Sequence, residues 1–215
     1  TAGDHARLDE LPAKLAREPL KVGGMPGLSV PFFMPGFALN ALTLRILNGA
    51  IDYVQSHAGQ FSHYDSFFYP LDAINNWNRG YGKRGFTQYQ FVVPVEGARK
   101  SIRRIMEEIA AGGCKPFLNV LKKFGKGTNY LSFPMPGYTF AIDFPISKKL
   151  FPFLKRLDAL VLDAGGRIYA GKDATLDAQS FAAMYPELDA WKKVKKKYDP
   201  KNMFQSDIGR RLGLL

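Results

Sequence analysis

The sequence predicts an α+β fold: an antiparallel sheet of the split βαβ, ferredoxin-like kind, with two helices packed on one face. Three observations carry this. The order strand, helix, strand occurs twice in succession between Phe86 and Ala170. Both helical stretches end in Gly-Gly, a pair suited to a helix C-terminus. Both leading strands also run into a proline shortly before their helix.

The elements follow in order. Leu28 to Gly36 holds two prolines and several large apolar residues and reads as an extended connector. Leu39 to Val54 repeats apolar residues at helical spacing (Leu39, Leu42, Ile46, Leu47, Ala50, Ile51, Val54), which predicts an amphipathic helix. Ser66 to Gly85 sets Phe67, Phe68, Tyr69, Trp77 and Tyr81 among Gly and Asn. Aromatics on a turn-rich segment suggest a lid or pocket wall. Phe86 to Val93 alternates and is β-rich, and Pro94 closes it. Glu96 to Ala111 is a helix with Ala98, Ile102, Ile105, Met106 and Ile109 on one face, ended by Gly112-Gly113. Pro116–Phe124 and Tyr138–Ile146 are the second and third strands. Lys148 to Ala164 is the second helix, ended by Gly165-Gly166, and Arg167–Ala170 is a short fourth strand. From Asp177 on, the tail contains two more helical pieces. The organisation expected is therefore a connector, amphipathic helix and aromatic lid over 1–85, a βαβ-βαβ core over 86–175, and a helical tail over 176–215. The sheet face away from the helices would carry Phe, Tyr and Gln, so a partner domain or a ligand must cover it.

Composition narrows the function. With 215 residues and 46% apolar content the chain can bury a real core. No stretch reaches the roughly 20 apolar residues of a spanning helix. Thr1 to Glu10 carries no apolar block, so no secretory leader is expected. The single cysteine, Cys114, excludes an internal disulfide and a cysteine-based zinc cluster and reads as structural or incidental. The net charge of +11 raises nucleic acid, anionic lipid or a phosphorylated ligand as partners. The basic residues are scattered, however, and the one dense run is Lys192–Lys197. With no arginine-rich arm, zinc finger or RNP motif, nucleic acid is not the expected partner.

No nucleophile elbow, P-loop or GxGxxG fingerprint is present. His5, His57 and His63 lack metal-ligand spacing and read as surface residues. What stands out is polar residues on apolar strands. Gln88 and Gln90 are two apart and project from the same strand face. Lys122 follows an apolar strand run, and Lys172 follows the last strand. A lysine at a strand end beside a cofactor binds an anion or stabilises developing negative charge. Spacing alone is equally met by edge lysines facing solvent.

A series of longer motifs resembles a known family. In order they are Phe67-Phe68-Tyr69-Pro70-Leu71-Asp72, Trp77-Asn78-Arg79, Gln88-Tyr89-Gln90-Phe91-Val92-Val93-Pro94, Phe117-Leu118-Asn119-Val120-Leu121-Lys122 and Leu131-Ser132-Phe133-Pro134. Then come Gly165-Gly166-Arg167-Ile168-Tyr169, Lys172-Asp173, Ala183-Met184-Tyr185-Pro186 and Ser206-Asp207-Ile208-Gly209-Arg210-Arg211-Leu212. Together they are similar to the C-terminal half of the decaprenylphosphoryl-β-D-ribose 2-oxidases, in the vanillyl-alcohol oxidase superfamily. The resemblance runs from about Gly3 to the C-terminus and implies a substrate, or cap, domain.

The resemblance implies a FAD-dependent oxidoreductase that oxidises C2 of a polyprenylphosphoryl pentose. Lys172 is then the catalytic lysine beside flavin and substrate, and Tyr169 reaches the cofactor. Tyr69, Gln88, Gln90 and Lys122 line the substrate pocket, and Arg79 belongs to a mobile segment over it. The cofactor is FAD, held mainly by an N-terminal domain outside these 215 residues, toward which the tail 176–215 returns. The implied partners are that domain, a short-chain reductase that reduces the 2-keto sugar, and the polyprenyl-phosphate sugar. The implied location is cytoplasmic or peripheral at the inner membrane. Thr139 and Ala141 stand where close relatives carry Asn and Cys, which alters the pocket wall and leaves the exact sugar lipid open. Another sugar, polyol or aldonolactone oxidase of the superfamily, or a non-catalytic polyprenyl-phosphate binding module, remains an alternative.

Overall fold

A computed structural model describes residues 5–21, 27–36, 40–55, 61–116, 118–128 and 130–215. Leu39, His57 and Phe117, used above, lie outside them. The chain divides into two compact units, 1–85 and 86–215.

In the first unit, a short helix α1 (Ala13–Ala16) precedes a two-residue strand β1 (Leu28–Ser29). Helix α2 spans Ala41–Gln55. Asn40 starts it, its Oδ1 accepting from the N–H groups of Leu42 (2.8 Å) and Thr43 (3.1 Å). Leu42 and Ile46, on the expected apolar stripe, are exposed. The aromatic segment is more ordered than a loop: a one-turn helix α3 (Tyr64–Phe68), two 3-10 turns (Pro70–Ala73 and Trp77–Tyr81) and a strand β2 (Ile74–Asn75). β2 pairs in parallel with β1.

The second unit is the predicted α+β core. Strand β3 (Phe86–Pro94) leads to α4 (Ala98–Ala111), β4 (Asn119–Phe124), β5 (Gly137–Pro145), α5 (Leu150–Asp163) and β6 (Arg167–Ile168). The tail adds α6 (Ala178–Met184), α7 (Leu188–Tyr198) and α8 (Asp207–Arg211). The sheet order is β4-β5-β3-β6, and every pairing is antiparallel. This is the ferredoxin-like order, with the first and third strands of the repeat side by side at the centre.

Alternation in β3 decides which face is which. Tyr89, Phe91 and Val93 are buried with Phe140, Ile142 and Phe144 of β5, and the same core takes Ile105 and Ile109 of α4 and Phe153, Leu154, Leu157 and Val161 of α5. Both helices therefore lie on one face, as expected. Leu176, Phe181, Met184, Tyr185, Leu188 and Leu212 of the tail join that core.

Both helices start two residues later than expected, and two strand limits differ by more than one residue. The second strand starts at Asn119 rather than Pro116; proline has no N–H to give to a ladder. The fourth strand is only Arg167–Ile168, because after one further bond, Tyr169 N–H to the Gln90 carbonyl (2.9 Å), the chain closes into a 3-10 turn over Ala170–Lys172.

The Gly-Gly pairs divide two tasks. Gly113 (φ +70°) and Gly165 (φ +67°) supply the left-handed backbone that ends each helix. Gly112 and Gly166 allow close approach: a Cβ would lie 2.3 Å from the Phe153 ring at the first and 2.4 Å from the Val92 carbonyl at the second.

One buried acid lies within the helix-side core. Asp158 of α5 accepts hydrogen bonds from the Tyr89 hydroxyl (2.9 Å) and the Thr175 hydroxyl (2.8 Å). Burial raises its pKa from about 3.8 to about 6, although both hydroxyls favour the carboxylate. A carboxyl whose folded pKa exceeds its unfolded one stabilises the fold most below the unfolded value. That contribution is lost as pH rises through the folded value. Asp158→Asn should therefore flatten the pH dependence of stability. Between pH 4 and pH 7 the parent should lose roughly 2–3 kcal/mol relative to the variant, at about 1.4 kcal/mol per pH unit. Urea unfolding of both proteins across that range measures it, and parallel curves would remove the role given to Asp158.

Candidate functional site

The strand register assembles the site. Because Gln88 faces Asp143, Gln90 faces Ala141 and Val92 faces Thr139, these six share the sheet face away from the helices. Lys122 of β4 faces Thr139 and joins them. Tyr169 and Lys172 follow β6 on the other flank of β3.

The side chains form a connected set. Lys172 Nζ donates to Gln90 Oε1 at 2.8 Å, and Gln90 Nε2 donates to Thr139 Oγ1 at 3.0 Å. The Thr139 hydroxyl donates to the Phe91 carbonyl at 2.9 Å. The direction of this chain is fixed at both ends. Lysine has only donors, so the amide must turn its oxygen to Lys172. Thr139 spends its one proton on the backbone, so it must accept from the amide nitrogen. Alongside, Gln88 Nε2 donates to the buried carboxylate of Asp143 at 2.6 Å.

An aromatic row flanks the ammonium. Tyr169 stacks on Phe133 with ring centroids 4.8 Å apart, and Phe133 meets Phe124 edge-on at 5.8 Å. Lys172 Nζ lies 5.7 Å from the Tyr169 ring centroid, a cation–π distance. Arg167 holds the segment that carries Phe133, donating to the Ser132 carbonyl at 2.8 Å while lying over the Tyr185 ring.

Electrostatics match this placement. Partial burial lowers the Lys172 pKa, the Asp143 carboxylate opposes that, and the Lys122 ammonium adds to it. Two ammoniums close enough to repel make a place where an anion, or an oxygen gaining negative charge, is stabilised.

The structure thus brings Gln88, Gln90, Lys122, Tyr169 and Lys172 onto one sheet face, with Lys122 exposed on the edge strand. Tyr69 and Arg79 lie in the other unit. Tyr69 is exposed between α3 and the following 3-10 turn. Arg79 donates to the Val30 (3.1 Å) and Pro31 (3.0 Å) carbonyls and lies over the Phe33 ring, so it ties down the connector. The sequence reading gave no role to Asp143, Phe124 or Phe133 and treated Thr139 only as a departure. Strand periodicity held a signal for two of these: Thr139 and Asp143 alternate with the buried Phe140, Ile142 and Phe144. Among the described residues no group of His, Cys, Asp and Glu could hold a metal.

Fold and site together put amides, ammoniums and an aromatic row on one face of a ferredoxin-like sheet, the donor set of a site for a polar, electron-rich ligand. Residues 83–212 match the family described as D-arabinono-1,4-lactone oxidase, and the chain belongs to that family of FAD-dependent oxidoreductases. It is 42% identical over 216 residues to decaprenylphosphoryl-beta-D-ribose oxidase of Mycolicibacterium smegmatis, across 99% of this chain and 46% of that protein. It is 32% identical over 223 residues to an uncharacterized protein in the mprA 5' region of Streptomyces coelicolor, across 98% of this chain and 59% of that protein. The chain spans about half the length of the curated relatives it matches.

The electrostatics give a direct test on Lys172. Lys122→Gln removes a like charge and should raise its pKa, whereas Asp143→Asn removes the opposing carboxylate and should lower it. Competitive acetylation across pH 7–11, read by mass spectrometry, follows this one amine. A Lys172 titration unmoved by both changes would separate it from these neighbours.

Proposed function

We propose that this chain is the substrate-binding part of a FAD-dependent oxidoreductase that oxidises C2 of a polyprenylphosphoryl pentose. The observation that carries the reading is the partly buried Lys172 ammonium, fixed on Gln90 beside Tyr169. It occurs in a chain of which 99% aligns with 46% of a decaprenylphosphoryl-ribose oxidase.

A bound flavin would supply the hydride acceptor for oxidation of the sugar carbon. Tyr169 and Lys172 are the residues here that would hold it, since an aromatic ring with an ammonium at its side suits an electron-rich ring. The rest of the hold falls to an N-terminal FAD-binding domain, toward which residues 176–215 return. Lys172 stabilises negative charge that grows as the hydride leaves, which a fixed cation does better in the transition state than in the ground state. Gln88 and Gln90 bind and orient the sugar hydroxyls. With its nitrogen given to Asp143, Gln88 presents its carbonyl oxygen as an acceptor. Lys122 meets the anionic part of the substrate.

The 2-keto product passes to a short-chain reductase. A net charge of +11 suits a protein working at an anionic membrane surface, in the cytoplasm or peripheral at the inner membrane. Among the described residues no helix is long and apolar enough to cross a membrane.

The matched family description favours one second reading, an aldonolactone oxidase acting on a soluble sugar lactone. Steady-state kinetics of the full-length, flavin-loaded protein separate the two. Turnover of a phosphoprenyl pentose, and not of an aldonolactone, is expected. In that assay Lys172→Ala should reduce kcat by about 10²–10³-fold with flavin content and melting temperature retained. Near-normal kcat at full flavin occupancy would return Lys172 to an ordinary surface lysine. A second outcome follows for the cofactor: the 215-residue chain purified alone should carry far less than one flavin per chain. A stoichiometrically yellow preparation would place the main flavin site within these residues.

A further inference from the structure

Lys172 is aimed by a very short piece of backbone. Upstream, Tyr169 N–H is anchored on the Gln90 carbonyl at 2.9 Å, and Lys172 N–H closes the turn on the Tyr169 carbonyl at 2.9 Å. Downstream the next residue, Asp173, is the anchor, with its side chain only 1% exposed. One of its oxygens takes the N–H groups of Thr175 and Leu176, each at 2.8 Å. The other takes Arg211 Nη1 at 2.8 Å, from 38 residues further along the chain. The same nitrogen donates to the Leu176 carbonyl at 2.5 Å. The arginine is itself held. Ser206 caps α8 by accepting from Gly209 N–H, and Leu212, next to Arg211, is fully buried in the core.

We propose that Arg211 is a positioning residue for Lys172, acting through Asp173 to hold the turn that carries the ammonium to Gln90. Three features point to this role. The two anchors, Gln90 and Asp173, bracket Lys172 and little else. A buried carboxylate that loses the guanidinium paired with it must find another donor, and the turn beside it opens to let water in. The guanidinium uses both nitrogens, Nη1 on the Asp173 carboxylate and the Leu176 carbonyl and Nη2 on the Asp173 carbonyl at 3.5 Å, a grip that the single nitrogen of a lysine does not reproduce. The proposal rests on the catalytic reading of Lys172, and it gives the last motif of the chain a task at the sheet face.

The test is a double-mutant cycle in the full-length, flavin-loaded protein, paired with amine labelling that needs no turnover. Arg211→Ala should lower kcat by about 10–100-fold, in keeping with the cost of a misplaced catalytic group. Arg211→Lys should recover only part of that, and it serves as the deciding variant if the alanine variant melts near room temperature. In a Lys172→Ala background the same change should cost less than about twofold, because its effect runs through the missing amine. In the labelling arm, Arg211→Ala should let Lys172 acetylate faster and titrate closer to an ordinary lysine, while Lys122 stays unchanged. Effects that add fully to Lys172→Ala, or a Lys172 titration identical to the parent's, would overturn the proposal and leave Arg211 a stabilising residue only. If Lys172→Ala itself turns over normally, the catalytic reading falls. The labelling arm still decides whether Arg211 holds the turn.

Discussion

The nine-residue antiparallel pairing of β3 with β5, Phe86 against Pro145 through Pro94 against Gly137, sets both halves of the second unit at once. Strand side chains alternate, so one register sends Tyr89, Phe91 and Val93 into the helix layer and Gln88 and Gln90 to the other side. A slip of one residue would bury two amides among Phe153 and Leu157 and strand three large apolar residues on the site. Such a slip is opposed by several kcal/mol of apolar burial. Gly137 keeps the register close at its far end, where a Cβ would stand 2.1 Å from the Val93 carbonyl.

The catalytic candidates inherit their geometry from that pairing. Gln90 meets Thr139 because β5 runs beside β3, and Lys172 meets Gln90 because β6 hands the chain to a turn at the opposite edge of the same strand. Three neighbouring strands thus supply consecutive members of one hydrogen-bonded chain. The helix side adds its own constraint: Tyr89, between the two glutamines, is tied by its hydroxyl to the buried Asp158. The central strand is held on both faces where the polar network needs it fixed.

The regular core was legible in the sequence because its signals are local. Alternation marked β3 and β5, helical spacing marked α4 and α5, and the paired glycines marked both helix ends. Gln88, Gln90 and Lys172 were also visible, as polar residues interrupting apolar strands and as parts of long motifs. The strand limits were harder, since where β4 and β6 stop depends on a proline and on a turn that competes with the ladder. The Thr139 contact, the Asp143 pairing and the row Phe124–Phe133–Tyr169 are long-range. They depend on which strands become neighbours, which no window of sequence records. The segment 66–85 misled in the opposite way: its aromatics and glycines suggested a loop, yet short helical turns and a two-residue strand satisfy much of its backbone.

A sheet with one face in the helix-side core and the other carrying the polar network separates inheritance from innovation. Positions 139 and 141 lie on the face away from the helices, while 140, 142 and 144 hold the helix-side core. Thr139 is tied to Gln90 and to the Phe91 carbonyl, so Ala141 is the freer of the two. Ala141, lying between Gln90 and Val120 across the strands, is the smallest side chain of that group and leaves the most room for a larger one.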